Sequence, residues 1–181
     1  MESFIHSLPQ EEKYQLDRLV VPKVYNMNDR LVQVGELDNE IFYVVKGGLR
    51  KYSLMDHREI TLDFFFEDEV VFPKNSHPES HTDYFLEAIE ETQIYQISLV
   101  NFNRVKDISP QISQLEIKVL ELAHEQALNR LEEFQSLNAT ERYLKLFERS
   151  PKIIKNVKLK HIASYLGINN ASLSKIRAGL K

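Results

Sequence analysis

No glycine or proline interrupts residues 111–150, and no other property of this chain limits its fold as strongly. A stretch of that length without a breaker must contain a long helix. Ser109-Pro110 opens it. The serine hydroxyl can accept from a first-turn amide, and proline at the first helical position gives up an N–H that has no partner there. Run to about Leu137, the helix is roughly 40 Å long at 1.5 Å per residue. Ile112, Leu115, Val119 and Leu122 form one apolar stripe along it, and Ile117, Leu120, Ala127, Leu131 and Phe134 form a second. Two apolar faces need two partners. The strand-rich half of the chain can cover one, and the same helix of a second copy the other. We assign the homodimer contact to Ile112, Leu115, Val119 and Leu122; the alternative is a helix buried wholly within its own chain.

The two flanks of this helix differ. Residues 1–20 read as a helical lead-in carrying Leu16, Leu19 and Val20. From Val24 to Leu99 come short runs of β-branched and aromatic residues: Leu31-Val32, Ile41 to Val45, Ile60 to Phe66 and Ile94 to Ile97. Turn signals separate them at Gly35, Asp38-Asn39, Gly47-Gly48 and Asp56-His57. This spacing predicts a compact antiparallel sandwich or barrel, with Pro73–Asp83 as a long loop. The expected class is α+β. This strand-rich unit over 1–108, which the resemblance given below implies is an antiparallel β-roll, is followed by the long helix over 109–137 and an all-helical unit over 138–181.

Charge divides the chain in the same place. Residues 136–181 hold ten lysines and arginines against two glutamates, giving +8, while residues 1–135 carry −12. An acidic body with a basic C-terminal quarter points to nucleic acid at that end. Cysteine is absent, which excludes disulfides, cysteinyl iron–sulfur clusters, thiolate zinc sites and cysteine nucleophiles. No apolar run approaches the roughly 18 residues of a membrane span, and the N-terminus lacks a signal-peptide core. A cytoplasmic location without membrane association is the expectation.

Inside the basic segment, Asn138-Ala139-Thr140-Glu141 has the form of a capping box. The helix it opens should end at Ser150-Pro151. Two short helical patterns follow, Leu159–Leu166 and Asn170–Leu180, separated by Gly167-Ile168-Asn169. This spacing is that of a helix-turn-helix. Ala163 is small where the second helix approaches closely. Gly167 permits a positive φ at the end of the first helix, and Asn169 caps the second. Ile162, Leu166, Ile168, Leu173 and Ile176 supply the shared core. The outer side of the second helix offers Asn170, Ala171, Ser172, Ser174, Lys175 and Arg177. They are small or polar, neutral to basic, and suited to the major groove. Double-stranded DNA is the expected ligand.

Other signals are weaker. His77 and His81 stand four apart in HPESH, but Pro78 opposes the helix that would align them and no third ligand is evident, so no metal is assigned. His124 on the long helix reads as an interface or surface residue, and Tyr143 and Tyr165 as packing between helices. The six histidines form no cluster of the kind a cupin-type enzyme needs, and no G-x-S-x-G elbow is present. No enzymatic activity and no cofactor are expected.

The order of these parts resembles the Crp/Fnr family of bacterial transcription regulators. Leu31–Ser53 (LVQVGELDNEIFYVVKGGLRKYS) is similar to the opening of that family's cyclic-nucleotide-binding-type roll, and Glu87–Ser98 to its closing strands. His161–Arg177 (HIASYLGINNASLSKIR) resembles its helix-turn-helix. The resemblance implies a homodimeric regulator on an inverted-repeat operator, with two reading helices about 34 Å apart. RNA polymerase and an unidentified small-molecule effector, or none, complete the implied partners. A roll that has lost specific DNA binding and serves as scaffold or small-ligand binder is the alternative.

Carried over from the family, the base-reading positions fall on Asn170, Ala171 and Lys175, with Ser172 on a phosphate. Lys155, Lys158, Lys160 and Lys181 are further phosphate candidates. The implied effector pocket takes Phe64, Phe66, Val71, Phe72, Thr82 and Asp83. Two of its pairs depart from the family pattern. Val71-Phe72 stands where a Gly-Glu pair holds the ribose, and Thr82-Asp83 where an arginine fork and a hydroxyl hold the cyclic phosphate. Phenylalanine accepts no ribose hydroxyl, and aspartate repels phosphate. Control by a cyclic nucleotide is therefore not expected. A β-hairpin wing after Arg177 is not expected either.

Overall fold

Strands dominate the first hundred residues because apolar and polar side chains alternate there with the period of a pleat. The computed structural model describes residues 9–74, 77 and 79–180. Helix α1 (Gln10–Leu19) leads into eight strands: β1 (Val21–Tyr25), β2 (Arg30–Val32), β3 (Glu40–Lys46), β4 (Gly48–Met55), β5 (Arg58–Phe66), β6 (Val70–Val71), β7 (Phe85–Ala88) and β8 (Thr92–Ser98). They form two four-stranded antiparallel sheets, ordered β1-β8-β3-β6 and β2-β7-β4-β5. Val32, Phe42, Val44, Leu49, Val71, Tyr84, Leu86, Ala88 and Ile94 fill the space between the sheets. The β4–β5 hairpin closes on Asp56 and His57, both at positive φ, the two-residue turn whose twist matches the flanking strands.

In β3 both faces are covered, so the alternation disappears into four consecutive buried residues, Ile41 to Val44. Phe42 and Val44 face the other sheet. Ile41 turns outward to meet Ile97, Leu99 and the helices, with Leu16, Leu19 and Phe102 beside them.

After β8 come α2 (Leu99–Ile108), α3 (Pro110–Ser136), α4 (Ala139–Arg149), α5 (Pro151–Asn156), α6 (Leu159–Tyr165) and α7 (Asn170–Gly179). The Ser109 hydroxyl accepts from the Ile112 amide at 3.3 Å, and the capping box at Asn138 and Glu141 forms in both directions. Helix α5 was not expected. Ser150-Pro151 does end α4, but proline at the first position also starts a new helix, so one dipeptide does both.

The long helix corrects the dimer assignment. Ile112 is only 2% exposed, packed inside its own chain with Val105, Leu16, Leu19 and Phe102. Leu115 and Val119 turn the same way, toward the roll. The stripe that faces outward is the other one: Ile117, Leu120 and Leu131 are about half exposed. The two stripes are equally apolar, so composition cannot distinguish them. What decides is the sharp break at Ser109, which folds the first turn of α3 back onto α2. Leu122 of the assigned stripe also stays exposed.

Candidate nucleic-acid interface

Helices α6 and α7 are joined by a turn whose hydrogen bonds satisfy the end of α6. The Gly167 amide donates to the Ser164 carbonyl at 3.1 Å and the Ile168 amide to that of Ala163 at 3.0 Å. This pair of bonds requires a left-handed residue, and Gly167 sits at φ +69°. The Asn169 side chain then accepts from the Ser172 amide at 2.8 Å and starts α7. Leu173 is fully buried, and Ile162, Ala163 and Leu166 nearly so. With Tyr143, Leu146, Ile153 and Val157 they make one core, which Ile168 and Ile176 flank.

That core turns one side of α7 outward. Asn169, Asn170, Ala171, Ser174 and Lys175 are exposed, while Ser172 and Arg177 are half-buried. No acidic residue lies on α7. Lys158 and Lys160, both exposed, flank the start of α6. Lys158 Nζ also donates to the Asn28 side chain of the roll at 3.3 Å. Lys181 lies outside the described residues.

The helix-turn-helix unit is held to its own roll along β5, which is the edge of its sheet. The Ser164 hydroxyl accepts from the Thr61 amide at 2.9 Å and donates to the Glu59 carbonyl at 3.1 Å, taking the place of a neighbouring strand. Arg130 of α3 donates to the carbonyls of both Leu62 and Tyr165, so one side chain joins roll, long helix and helix-turn-helix. Arg142 reaches the Leu137 and Leu166 carbonyls at 2.6 and 3.1 Å. Phe64 packs on Tyr165 with ring centroids 5.4 Å apart. None of Ser164, Arg130, Arg142 or Thr61 was legible as an interdomain residue. Each looks in sequence like an ordinary surface polar group.

A buried ionic cluster completes this contact. Arg50 is 1% exposed and donates to Glu87 at 2.9 Å and Glu59 at 2.7 Å. It also meets His161 Nδ1. A guanidinium can only donate, so Nδ1 must carry the lone pair and His161 is neutral with its proton on Nε2. Burial, then the charges of Arg50 and Lys160, push the His161 pKa down to about 4. The sign follows: unfolded or undocked chain takes up the proton first. The contact is therefore at full strength above about pH 6.5 and weakens as pH falls toward 4, by up to about tenfold per pH unit. The unfolding midpoint should drop across that window, and His161→Gln should flatten the drop. A midpoint equally pH-dependent in both proteins would show that His161 is not the group concerned.

No protein-family model matches the sequence, and neither does any curated protein. Solved structures do match. FixK2 from Bradyrhizobium japonicum superposes at TM-score 0.75 and 19% identity, over 89% of this chain and 84% of that one. The c-di-GMP responsive global regulator CLP of Xanthomonas campestris gives 0.74 at 15%, over 95% and 91%. A transcriptional regulator of the Crp/Fnr family from Eubacterium rectale gives 0.75 at 15%, over 94% and 82%. The fold is that of the Crp/Fnr regulators.

Within this Crp/Fnr fold the six effector-pocket candidates do not converge. Phe64 and Phe66 point away from the roll interior into the helical core, and Phe65 between them packs on the roll. The expectation had the parity of β5 reversed. Val71 is buried in the roll, while Phe72 lies on the opposite face against Phe102, as adjacent strand residues must. Thr82 is buried and donates to the Gln33 carbonyl. Asp83 is exposed, and the Lys74 ammonium holds its carboxyl below the usual range. In the roll interior Tyr84 donates to Asp38 at 2.6 Å, and Lys51 lies over the Tyr84 ring. Among the described residues no group of three or more histidines, acids or cysteines could hold a metal, and no helix is long and apolar enough to cross a membrane. His77 and His81 are both exposed, and Pro78 lies outside the described residues.

Proposed function

We propose that this chain is a sequence-specific DNA-binding transcription regulator that reads an inverted-repeat operator as a homodimer. The observation that carries this reading is α7. It is capped by Asn169, anchored by a fully buried Leu173, free of acidic residues, and offers exposed Asn170, Ala171 and Lys175 on one side. Asn170 suits adenine N6 and N7, Ala171 a thymine methyl, and Lys175 guanine O6 and N7. Lys158 and Lys160 suit phosphates. The reading divides the chain into a roll (1–108), a dimerisation helix (109–137) and a reading head (138–181). It includes a cytoplasmic location, RNA polymerase as a protein partner and no catalysis. Cyclic nucleotides are not its effector: Asp83 is ionised and exposed, and Phe72 faces away from the roll interior.

Selection from a randomised DNA pool tests the proposal. An inverted repeat with half-site centres one helical turn apart should be enriched. Asn170→Ala and Lys175→Ala should each cost about 1–3 kcal/mol of discrimination, at one base position each. Lys158→Ala should weaken all sequences alike and lower the salt slope by about 0.9. Weak binding blind to sequence would overturn the proposal. It would favour a roll that serves as scaffold or ligand binder.

A further inference from the structure

A cavity of about 480 Å³ lies outside the roll, between the outer face of the β1-β8-β3-β6 sheet, α1 and the first half of α3. The space opens to solvent on one side, and clefts of several hundred Å³ are the size of ligand sites. Ile41 and Ile97 form its sheet wall, Leu16 its α1 wall, and Leu115 and Val119 its α3 wall, with Phe72 at one end. Among the described residues, Lys13, Asp17 and Glu116 are the charged ones that line it. Glu116 is already paired with Lys106 at 2.6 Å. Asp17 lies one helical turn beyond Lys13.

A second copy of this chain does not suit this space. At 100° per residue, the stripe of Ile117, Leu120 and Leu131 lies more than 90° around α3 from Leu115 and Val119. It is the exposed stripe, so two long helices pairing along it leave the cavity unfilled. The walls are aliphatic and aromatic with a cation, Lys13, on α1. Such a lining fits an aliphatic chain ending in one anionic group.

We propose that this cavity binds a medium- to long-chain fatty acid, the chain between the sheet and α3 and the carboxylate at Lys13. The site is distinct from the roll interior, which is filled by the protein's own side chains. Occupancy does not depend on the DNA-binding reading. Only the regulatory consequence does: a ligand that presses on α3 would bias the reading head, because α3 carries Arg130 to the Tyr165 carbonyl.

The test is calorimetric titration of the full chain with dodecanoic acid and with dodecanol, in the absence of DNA. Saturable binding of dodecanoic acid is expected. Val119→Trp fills the cavity and should weaken binding of both compounds at least tenfold. Leu128→Trp, on exposed surface, should change neither, and circular dichroism of both variants checks that they fold. Lys13→Glu should weaken dodecanoic acid at least tenfold and leave dodecanol within about twofold. The proposal fails if neither compound saturates the protein, or if both bind Val119→Trp as tightly as the parent. It also fails if Lys13→Glu affects acid and alcohol equally. Binding of dodecanoic acid by a protein that selects no operator would leave the cavity standing and the DNA reading overturned. The reverse result would do the opposite.

Discussion

Replacing Ile117 and Leu120 together by aspartate is expected to leave a folded monomer whose operator affinity is about 10²–10⁴-fold below that of the parent. Both side chains are about half exposed on α3 and neither lies in a cluster of the buried core, so the roll and helix-turn-helix keep their packing. Their spacing continues through His124 and Ala127 to Leu131 and Phe134, alternating steps of three and four residues. That is the pattern of a coiled-coil seam. Charges placed on a seam are forced together when it closes. On the proposed function, two heads tied in one dimer would engage two half-sites as a linked event, and untying them would remove that gain. Analytical ultracentrifugation reads the first half of the result and DNA titration the second. A variant that remains dimeric would move the interface elsewhere. A monomer that binds the operator undiminished would remove the need for two heads.

Gly167→Val should destabilise the protein by about 3 kcal/mol, the largest effect expected of a single substitution here. Two costs combine. A branched residue at φ +69° is strained by roughly 1–2 kcal/mol, and a Cβ at this position would lie 2.9 Å from the Phe134 ring, an overlap of the kind that costs about 1–3 kcal/mol. Phe134 is near the end of α3, so the turn of the helix-turn-helix is fitted against the long helix itself. Gly167→Ala should show the same direction with a smaller loss. Chemical denaturation measures both. Adding Phe134→Ala to Gly167→Val should restore the steric part while leaving the strain, so recovery of roughly half the loss is expected. Full stability in Gly167→Val would mean that the turn relaxes away from the long helix.

The parts of this structure that the sequence announces are those written in local chemistry. Ser109-Pro110, the Asn138–Glu141 box, the Asp56-His57 turn, Gly167 and Asn169 each act within a few residues, and each forms as expected. The two-sheet roll is legible for the same reason, since strand alternation is local. What failed needed contacts between distant residues. Two equally apolar stripes on α3 are indistinguishable until the break at Ser109 turns one inward. Phe64, Phe65 and Phe66 differ only in parity, and a shift of one residue exchanges their faces. Ser164 carries no mark of its role beside Thr61, because the role exists only once β5 is known to be a sheet edge. The helix from Asn170 was legible because its cap and its buried Leu173 act within one helix. The effector candidates were scattered because three separate segments had to meet.

The way Ser164 and Arg130 occupy β5 bears on how the molecule could fail. An open strand edge offers a row of unpaired amides and carbonyls, and other chains add to it. Here the edge strand β5 itself carries Ile60, Leu62, Phe64 and Phe66, a sequence with strong appetite for another strand. While the helix-turn-helix is seated, a hydroxyl and a guanidinium stop the row at Glu59, Thr61 and Leu62. A chain caught with its head lifted, by acid or by a lost Ser164, presents a template for fibrous self-assembly. The helix-turn-helix unit is thus the guard of its own sheet. Conditions that free it for wide excursions are conditions under which concentrated solutions of this protein should polymerise.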